Sequence, residues 1–293
     1  MGFLKLVFNP SAGEGQSGKN LNAFFMKAAK SGFRVEMVPF KETILENALC
    51  ACPQDTRAIV VAGGDGSLNG VVNVLLRQKP PFPPLAILPW GTANDFFGNV
   101  QESAFSLEKL FDAVIQGKTR QVDVGCLNDK YFINVAGAGL LVDVAHNTSS
   151  SLKQSIGMLA YYLEGALNLP AYKPFRLTLE KDNLTEEIDT DLFLVLNGKT
   201  AGGVRNLAPK AVMNDGKLDV IIIKKAGIPG LMSLIPRLIA GQHLTDPRVI
   251  YFQTEQLVLH APSWVETDID GESGPPFPLY FSVLHKKLDF IVY

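Results

Sequence analysis

Residues 60–76 read VVAGGDGSLNGVVNVLL, in which the turn Gly63-Gly64-Asp65-Gly66 separates two strongly apolar stretches. Upstream, RAIVVA (57–62) has the short, β-branched character of a strand buried on both faces. Downstream, Leu68, Val71, Val72, Leu75 and Leu76 recur at the helical period. A strand, a glycine turn and an amphipathic helix predict the opening of a β-α-β unit. The turn also predicts a ligand, because glycines let backbone N–H groups approach closely and a helix N-terminus favours an anion such as phosphate. Asp65 would repel that phosphate unless a cation lay between them, and magnesium takes oxygens from carboxylates, phosphates and water. Taken alone, the turn is equally compatible with an acid that caps a helix.

The same rhythm extends to both sides. FLKLVF (3–8), FRVEMV (33–38) and LAIL (85–88) read as further strands. Leu21, Phe24, Phe25, Ala28 and Ala29 predict a helix that stops before Gly32, and Leu107, Leu110, Phe111, Val114 and Ile115 another ended by Gly117. Strands alternating with helices predict a three-layer α/β domain around a mainly parallel sheet. After about residue 121 strand follows strand: QVDVGC, YFINVA, FRLTLE, DLFLVLN, KLDVIII, YFQTEQLVLH, PLYFSVL and LDFIVY. That succession predicts an antiparallel, β-sandwich-like second domain. Two helical segments interrupt it, SIGMLAYYLEGALNL (155–169) and GIPGLMSLIPRLIAGQ (227–242), the second kinked at Pro236. The expected domains are 1–121, completed by a C-terminal strand at about 286–293, and 122–285.

Composition narrows the function. With 47% hydrophobic and 19% charged residues the chain is folded and globular, outside the range of disorder. A net charge of -2 without a long basic run argues against a nucleic-acid partner. The opening MGFLKLVFNPSAG is too short for a signal peptide and no run approaches a membrane span, so a cytoplasmic protein is expected. Cys50, Cys52 and Cys126 cannot all pair and match no common zinc spacing, which predicts reduced, structural thiols.

Two motifs near the N-terminus mislead. GEGQSG (13–18) satisfies the dinucleotide pattern G-x-G-x-x-G, with Glu36 near the distance of a ribose-binding acid. Here, however, Asn9, Pro10, Ser11 and Ala12 intervene between strand and glycines, where the fingerprint needs a tight turn directly after the strand. Extended to GEGQSGKN, the stretch nearly matches the phosphate loop G-x-x-x-x-G-K-[ST], but Asn20 replaces the hydroxyl that would hold magnesium. A flexible turn before a helix is the simpler reading.

The companions of the Gly-Asp turn carry more weight. LPWGTANDFFGNV (88–100) again follows a strand and places Gly91, Thr92, Asn94 and Asp95 in a second polar loop at the same sheet edge, where α/β folds bind ligands. LAPKAVMNDGKLDV (207–220) holds the turn Asn214-Asp215-Gly216, and VETDIDGESG (265–274) presents Asp270 and Glu272 around Gly271. NPSAG (9–13), GGDGSLN (63–69), LPWGTANDF (88–96), YFINVAGAG (131–139), the LAPKAVMNDGKLDV segment and DGE (270–272), in that order, resemble the diacylglycerol kinase catalytic-domain family. The likeness is to the soluble bacterial diacylglycerol and YegS-like lipid kinases, and it covers nearly the whole chain.

That resemblance implies an ATP-dependent, two-domain lipid kinase with its active-site cleft between the domains. It implies ATP binding by Asn9 and the loop after it, by Gly64, Asp65, Gly66, Ser67, Leu68, Asn69 and Gly70, and by Gly91 and Thr92. Asp65, supported by Asp95 and Asp123, would organise the catalytic Mg2+, and Glu272 would be the general base toward the lipid hydroxyl. A second magnesium ion is implied at the Asn-Asp-Gly turn, on the Asp215 side chain and the carbonyls of Val212 and Lys217. Each residue also has a plainer use: Asp215 as a turn former, Glu272 as an exposed turn acid, Asp123 as an outward strand residue. His243 and the other histidines show no ligand spacing.

The chain departs from the family pattern at several points. Ser67 stands in place of the usual Thr and Gly70 in place of Glu, while VPFKET (38–43) replaces a segment with an ATP-binding Thr. GLLVDV (139–144) lacks an aromatic-acid pair. Two other functions fit the same turn: an NAD kinase, which would need an Asn-Glu pair absent after GGDG, and a lipid- or nucleotide-binding regulator without turnover. Diacylglycerol is the expected acceptor, reached by peripheral membrane contact. The stripe Leu231, Leu234, Ile235, Leu238 and Ile239 is one candidate for that contact, with packing inside the domain as its alternative. An exposed strand edge in the second domain would allow a homodimer.

Overall fold

Short β-branched runs become strands and the stretches between them helices in the first of two units, Met1–Asp123 with Lys286–Tyr293. The computed structural model describes residues 2–9, 17–50, 52–53, 55–139, 173–182 and 184–293. Strands β1 (Phe3–Phe8), β2 (Arg34–Pro39), β3 (Thr56–Gly63) and β4 (Leu85–Pro89) lie in the order β2-β1-β3-β4, all parallel. The end of the C-terminal strand extends the sheet, with Phe290 beside Leu85 in parallel. Helices α1 (Ser17–Lys30) and α5 (Leu107–Gln116) cover one face. There Phe24, Ala28, Leu110, Phe111 and Val114 pack on Leu4, Leu6, Val60 and Ala86. Fully burying a side chain of the Leu or Phe type contributes about 1.5–3 kcal/mol.

On the opposite face lie α2 (Glu42–Cys50) and α3 (Asp65–Leu76). Lys5, 1% exposed, points there from β1, pairs with Glu36 at 3.3 Å and donates to the Ala48 carbonyl in the last turn of α2. Glu36, the acid of the misleading dinucleotide motif, is thus held by a structural ion pair. Helices α2 and α4 (Asp95–Val100) carried no periodic signal, since nine and six residues are too few to show one. Asp95, expected in the polar loop with Gly91, Thr92 and Asn94, instead opens the second of these helices.

The second unit, Val124–His285, is antiparallel and β-rich. It takes in the ends of β5 (Thr119–Leu127) and of the last strand, and along the chain β6 (Lys130–Phe132), β7 (Val135–Gly139), β8 (Phe175–Lys181) and β9 (Leu184–Leu196). The others are β10 (Leu218–Lys224), β11 (Val249–Thr254), β12 (Gln256–His260), β13 (Thr267–Ile269), β14 (Glu272–Ser273) and β15 (Leu279–Ile291). The long strand β9 organises it: residues 184–190 pair with β8, and residues 192–196 lie between β7 and β10. Phe132, Leu177, Phe193, Val220, Leu259 and Phe281 are among its core.

Three strand boundaries differ from expectation. YFINVA divides into β6 and β7 because the amides of Ile133, Asn134 and Val135 donate to the carboxylate of Asp270 and not to a straight ladder. YFQTEQLVLH divides into β11 and β12 at Glu255. PLYFSVL and LDFIVY instead form one strand, bent at Lys286, whose φ is +48°. Lys286 donates its amide to Asp123 Oδ1 at 2.6 Å, and Asp123 is fully buried, which overturns the outward-facing alternative for that acid.

Helix α6 (Gly227–Ile239) contains Pro236, and its N-terminus is capped by Asp191 Oδ2, which accepts from Ala226 and Gly227 at 2.8 and 2.9 Å. Leu234 on its apolar stripe is 5% exposed, so the stripe packs inward there and is no open membrane-contact face at that position. The helix proposed at 155–169 and residues 140–144 of the GLLVDV segment lie outside the described residues. His243 is buried and its Nε2 lies 2.8 Å from the Leu207 carbonyl, a structural contact. Cys50, Cys52 and Cys126 are free thiols, and burial pushes those of Cys52 and Cys126 up from the ordinary range.

Candidate active site

Parallel pairing of β3 and β4 sets Gly63 opposite Pro89 and brings the two following loops together at their glycines. A Cβ on Gly91 would stand 2.3 Å from the Gly64 Cα, backbone against backbone, so no side chain fits. Trp90 donates its amide to the Gly63 carbonyl at 3.1 Å. Asn94 shapes the second loop from a left-handed conformation, φ +51°. Its Oδ1 accepts from the Gly91 amide at 3.0 Å, and its Nδ2 donates to the carbonyls of Gly91 and Pro89 at 2.6 and 3.3 Å.

Asp65 locks the two loops. Its Oδ2 accepts from the amide of Asp95 at 3.0 Å and its Oδ1 from that of Phe96 at 2.9 Å. The acid therefore does cap a helix, but the helix is α4 across the loop pair and not its own. Asp95 is buried behind this contact, 6% exposed. Meanwhile the N-cap of α3 is Gly64, which offers no side-chain cap. The amides of its first turn have no acceptor within the helix, the arrangement that suits an anion.

The remaining residues of the first unit divide by where they point. Gly66 is exposed, and a Cβ there would meet nothing within 4 Å among the described residues. Asn9 donates from Nδ2 to Ser67 Oγ at 2.9 Å, which orients that hydroxyl. Thr92 is exposed on the second loop. Leu68 is 2% exposed in the core, and Asn69 accepts on Oδ1 from Asn73 at 2.9 Å, so these two side chains are engaged inside the fold. Gly70 faces the ring of Phe40, whose Cζ would lie 2.6 Å from an added Cβ.

In the second unit, a tight turn presents Glu272. Asp270 and Gly271 take φ of +52° and +87°, and Asp268 Oδ1 accepts from the Gly271 amide at 2.9 Å. Asp270 anchors the turn to the chain before β7: Oδ2 accepts from Ile133 at 2.7 Å, Oδ1 from Asn134 at 3.0 Å and from Val135 at 2.9 Å. Glu272 itself is exposed, and no side chain among the described residues forms an ion pair with it.

At the Asn-Asp-Gly turn, Asp215 Oδ1 accepts from the Lys217 amide at 3.0 Å, and Gly216 takes φ +76°. This is the turn-forming use. Val212 is 47% exposed beside it. Asp219, two strand residues further, is buried and accepts from the Tyr251 hydroxyl and from Gln253. Burial pushes its carboxyl above the usual range, against those two hydrogen bonds, with Asp215 adding in the same direction. Burial and the Asp219 carboxylate push the Tyr251 hydroxyl up likewise.

No three His, Cys, Asp or Glu side chains among the described residues are grouped so as to hold a metal ion. The donor set fits magnesium that arrives with nucleotide phosphates and keeps most of its waters, since such an ion needs only one or two carboxylates. Sequence reasoning names Asn94 and Asp270 as loop residues without giving either a role, and it does not reach Asp268. A polar residue taking a left-handed conformation is the signal for Asn94 and Asp270, and it appears only with the backbone in hand.

Residues 4–127 match the diacylglycerol kinase catalytic domain, and residues 134–292 match the YegS C-terminal NAD kinase beta sandwich-like domain. The chain is 31% identical to the diacylglycerol kinase of Bacillus subtilis, over 98% of this chain and 95% of that one. It is 32% identical to that of Staphylococcus haemolyticus, over 97% and 86%. A crystal structure of a diacylglycerol kinase from Bacillus anthracis superposes with a TM-score of 0.79 at 25% identity, covering 99% of this chain and 96% of the other. An NAD kinase from Archaeoglobus fulgidus in complex with ATP shares the fold at a TM-score of 0.54 and 16% identity. With relatives above 30% identity along nearly its full length and both halves matched in order, this chain belongs to the diacylglycerol kinase family and is a lipid kinase-like enzyme.

Proposed function

We propose that the protein transfers the γ-phosphoryl group of ATP to the hydroxyl of a lipid, with diacylglycerol as acceptor and phosphatidic acid as product. The observation that carries this reading is the glycine-against-glycine loop pair at Gly64 and Gly91, with the open first turn of α3 beside it, inside the matched catalytic domain. Phosphates would lie at the amides of residues 65–67, with Asn9, Gly91 and Thr92 around them. Phosphoryl transfer asks the protein for positioning and charge neutralisation more than for covalent chemistry. Magnesium would supply that neutralisation when bound with the nucleotide, held through Asp65 with Asp95 and Asp123 in support. Glu272 would take the proton of the lipid hydroxyl as its oxygen bonds to the γ-phosphorus and the β–γ bridge breaks to release ADP. Its exposure, and the lack of an ion-pair partner among the described residues, suit a carboxylate that must accept a proton. A second magnesium ion at Asp215, Val212 and Lys217 would rigidify the Asn-Asp-Gly turn.

The first unit is thereby the ATP-binding domain and the second the lipid domain. Among the described residues no helix is long and apolar enough to cross a membrane, and we infer that the acceptor is met by peripheral contact with the bilayer. Incubation of the purified protein with labelled magnesium-ATP and dioleoylglycerol in mixed micelles tests the reading. Labelled phosphatidic acid is the expected product. Transfer to NAD instead, or to no hydroxyl in a panel of diacylglycerol, sphingoid base, polyprenol and phosphatidylglycerol, would overturn it.

A further inference from the structure

Thr190 lies where three strands of the second unit meet. It is the register partner of Phe175 on β8 and of Lys224 on β10, so the three residues form one row across the sheet. At the usual strand spacing Phe175 and Lys224 stand about 10 Å apart. The row continues on both sides. The Lys224 amide donates to the Arg248 carbonyl at 2.9 Å, and the Lys225 amide to the Asp189 carbonyl at 2.8 Å. On the far side of Phe175, the ring of Trp264 stands edge-on at 6.4 Å, with an interplanar angle of 88°. Val265, packed in the core of this unit, donates its amide to the Pro262 carbonyl at 3.0 Å. That turn presents Trp264, which is 54% exposed.

The charges of this rim are uneven. Asp189 and Glu187 pair with Arg176, buried Asp246 takes Arg248 and Arg237, and buried Asp191 accepts the amides that open α6. Lys224 and Lys225 are exposed, and among the described residues neither pairs with a carboxylate. A half-exposed indole and two uncompensated cations on one rim match a surface that is apolar beneath and negative on top. The geometry points to this rim as the face that docks the protein on an anionic bilayer, with Trp264 at the headgroup level and Lys224 and Lys225 against lipid phosphates; this rests on the lipid-acceptor reading given above. Tryptophan suits that depth because its body is apolar and its N–H polar. Lysines there are drawn to anionic headgroups within a Debye length. Glu272 stands apart, aligned through Ile269 and Ala136 with Val195, five residues along β9 from Thr190. At about 3.3 Å per residue that is about 17 Å, so substitutions on the rim leave the base untouched.

Sedimentation of the purified protein with vesicles of phosphatidylglycerol and phosphatidylcholine tests the docking without nucleotide or turnover. The wild type should pellet with these vesicles, far less with phosphatidylcholine alone, and be released by high salt. Lys224→Glu combined with Lys225→Glu should raise the lipid concentration for half-binding at least about 25-fold, about 5-fold per lysine, on anionic vesicles only. Trp264→Ala should raise it about 10-fold on vesicles of either charge. Melting curves and kcat on a short-chain diacylglycerol below its aggregation limit should stay close to wild type for the lysine variant. Brominated phosphatidylcholine in the vesicles should quench wild-type emission and leave that of Trp264→Phe, whose remaining tryptophan is Trp90, unchanged. A wild type that stays in the supernatant with anionic vesicles, folded variants that pellet as the wild type does, or equal quenching in both proteins would overturn the docking face. Should the wild type bind vesicles through this rim but phosphorylate no lipid, the kinase reading falls and the docking face stands.

Discussion

Asp65 and Asp270 occupy similar glycine turns, one in each unit, and both direct their carboxylates at backbone amides. Asp65 accepts two, from the start of α4, and Asp270 accepts three, from the chain ahead of β7. The two turns differ in what their rigid acid leaves exposed. After Asp65 the chain enters a helix, whose first-turn amides lack an acceptor within the helix and suit an anion. After Asp270 it enters the two-residue strand β14, and the exposed feature is the Glu272 carboxylate, suited to a proton. An acid inside a motif can serve as its scaffold while its neighbour performs the chemistry.

The largest expected effect separates those roles most sharply. Glu272→Gln should lower turnover at least ~100-fold, with nucleotide affinity and melting temperature close to wild type; near-normal turnover would remove the base assignment and with it the contrast. Asp270→Ala should destabilise the fold by about 3 kcal/mol, because three amides lose a charged acceptor and Ala must adopt a left-handed backbone. Denaturant unfolding reads this directly, and a loss below about 1 kcal/mol would mean that the anchor is dispensable. For Asp65→Asn, one of the two α4 amides would face an NH2 group, at a cost of about 2 kcal/mol together with lost activity. A variant that loses activity at full stability would make Asp65 a ligand first and a cap second. Smallest of all, Gly98→Ala should stabilise by about 0.5–1 kcal/mol, since Gly98 lies in α4 with nothing among the described residues within 4 Å of the added methyl. Gain from that change would show that α4 is limited by helix propensity once Asp65 has capped it.

The β-α-β unit was legible because both of its periods are local: buried strands read as continuous apolar runs, and α1, α3 and α5 repeat at helical spacing. The order of motifs along the chain likewise identified the family without any contact being known. Legibility ended where a distant carboxylate decides a local conformation. Asp270 interrupts YFINVA, Asp123 holds the bend of β15 at Lys286, and Asp65 starts α4 within an apparent loop. The partners in these bonds are 137, 163 and 30 residues apart.

The sequence by itself determined the two kinds of layer, the glycine turns and the chemistry of their acids, because pattern and residue type are properties of a short window. Only the tertiary structure decided which carboxylates are occupied by backbone amides, which one remains exposed, and that Phe40 fills the space of the missing side chain at Gly70. Those outcomes depend on groups brought together by the sheet, where a hydrogen bond or a clash of a few tenths of an ångström outweighs any preference carried along the chain.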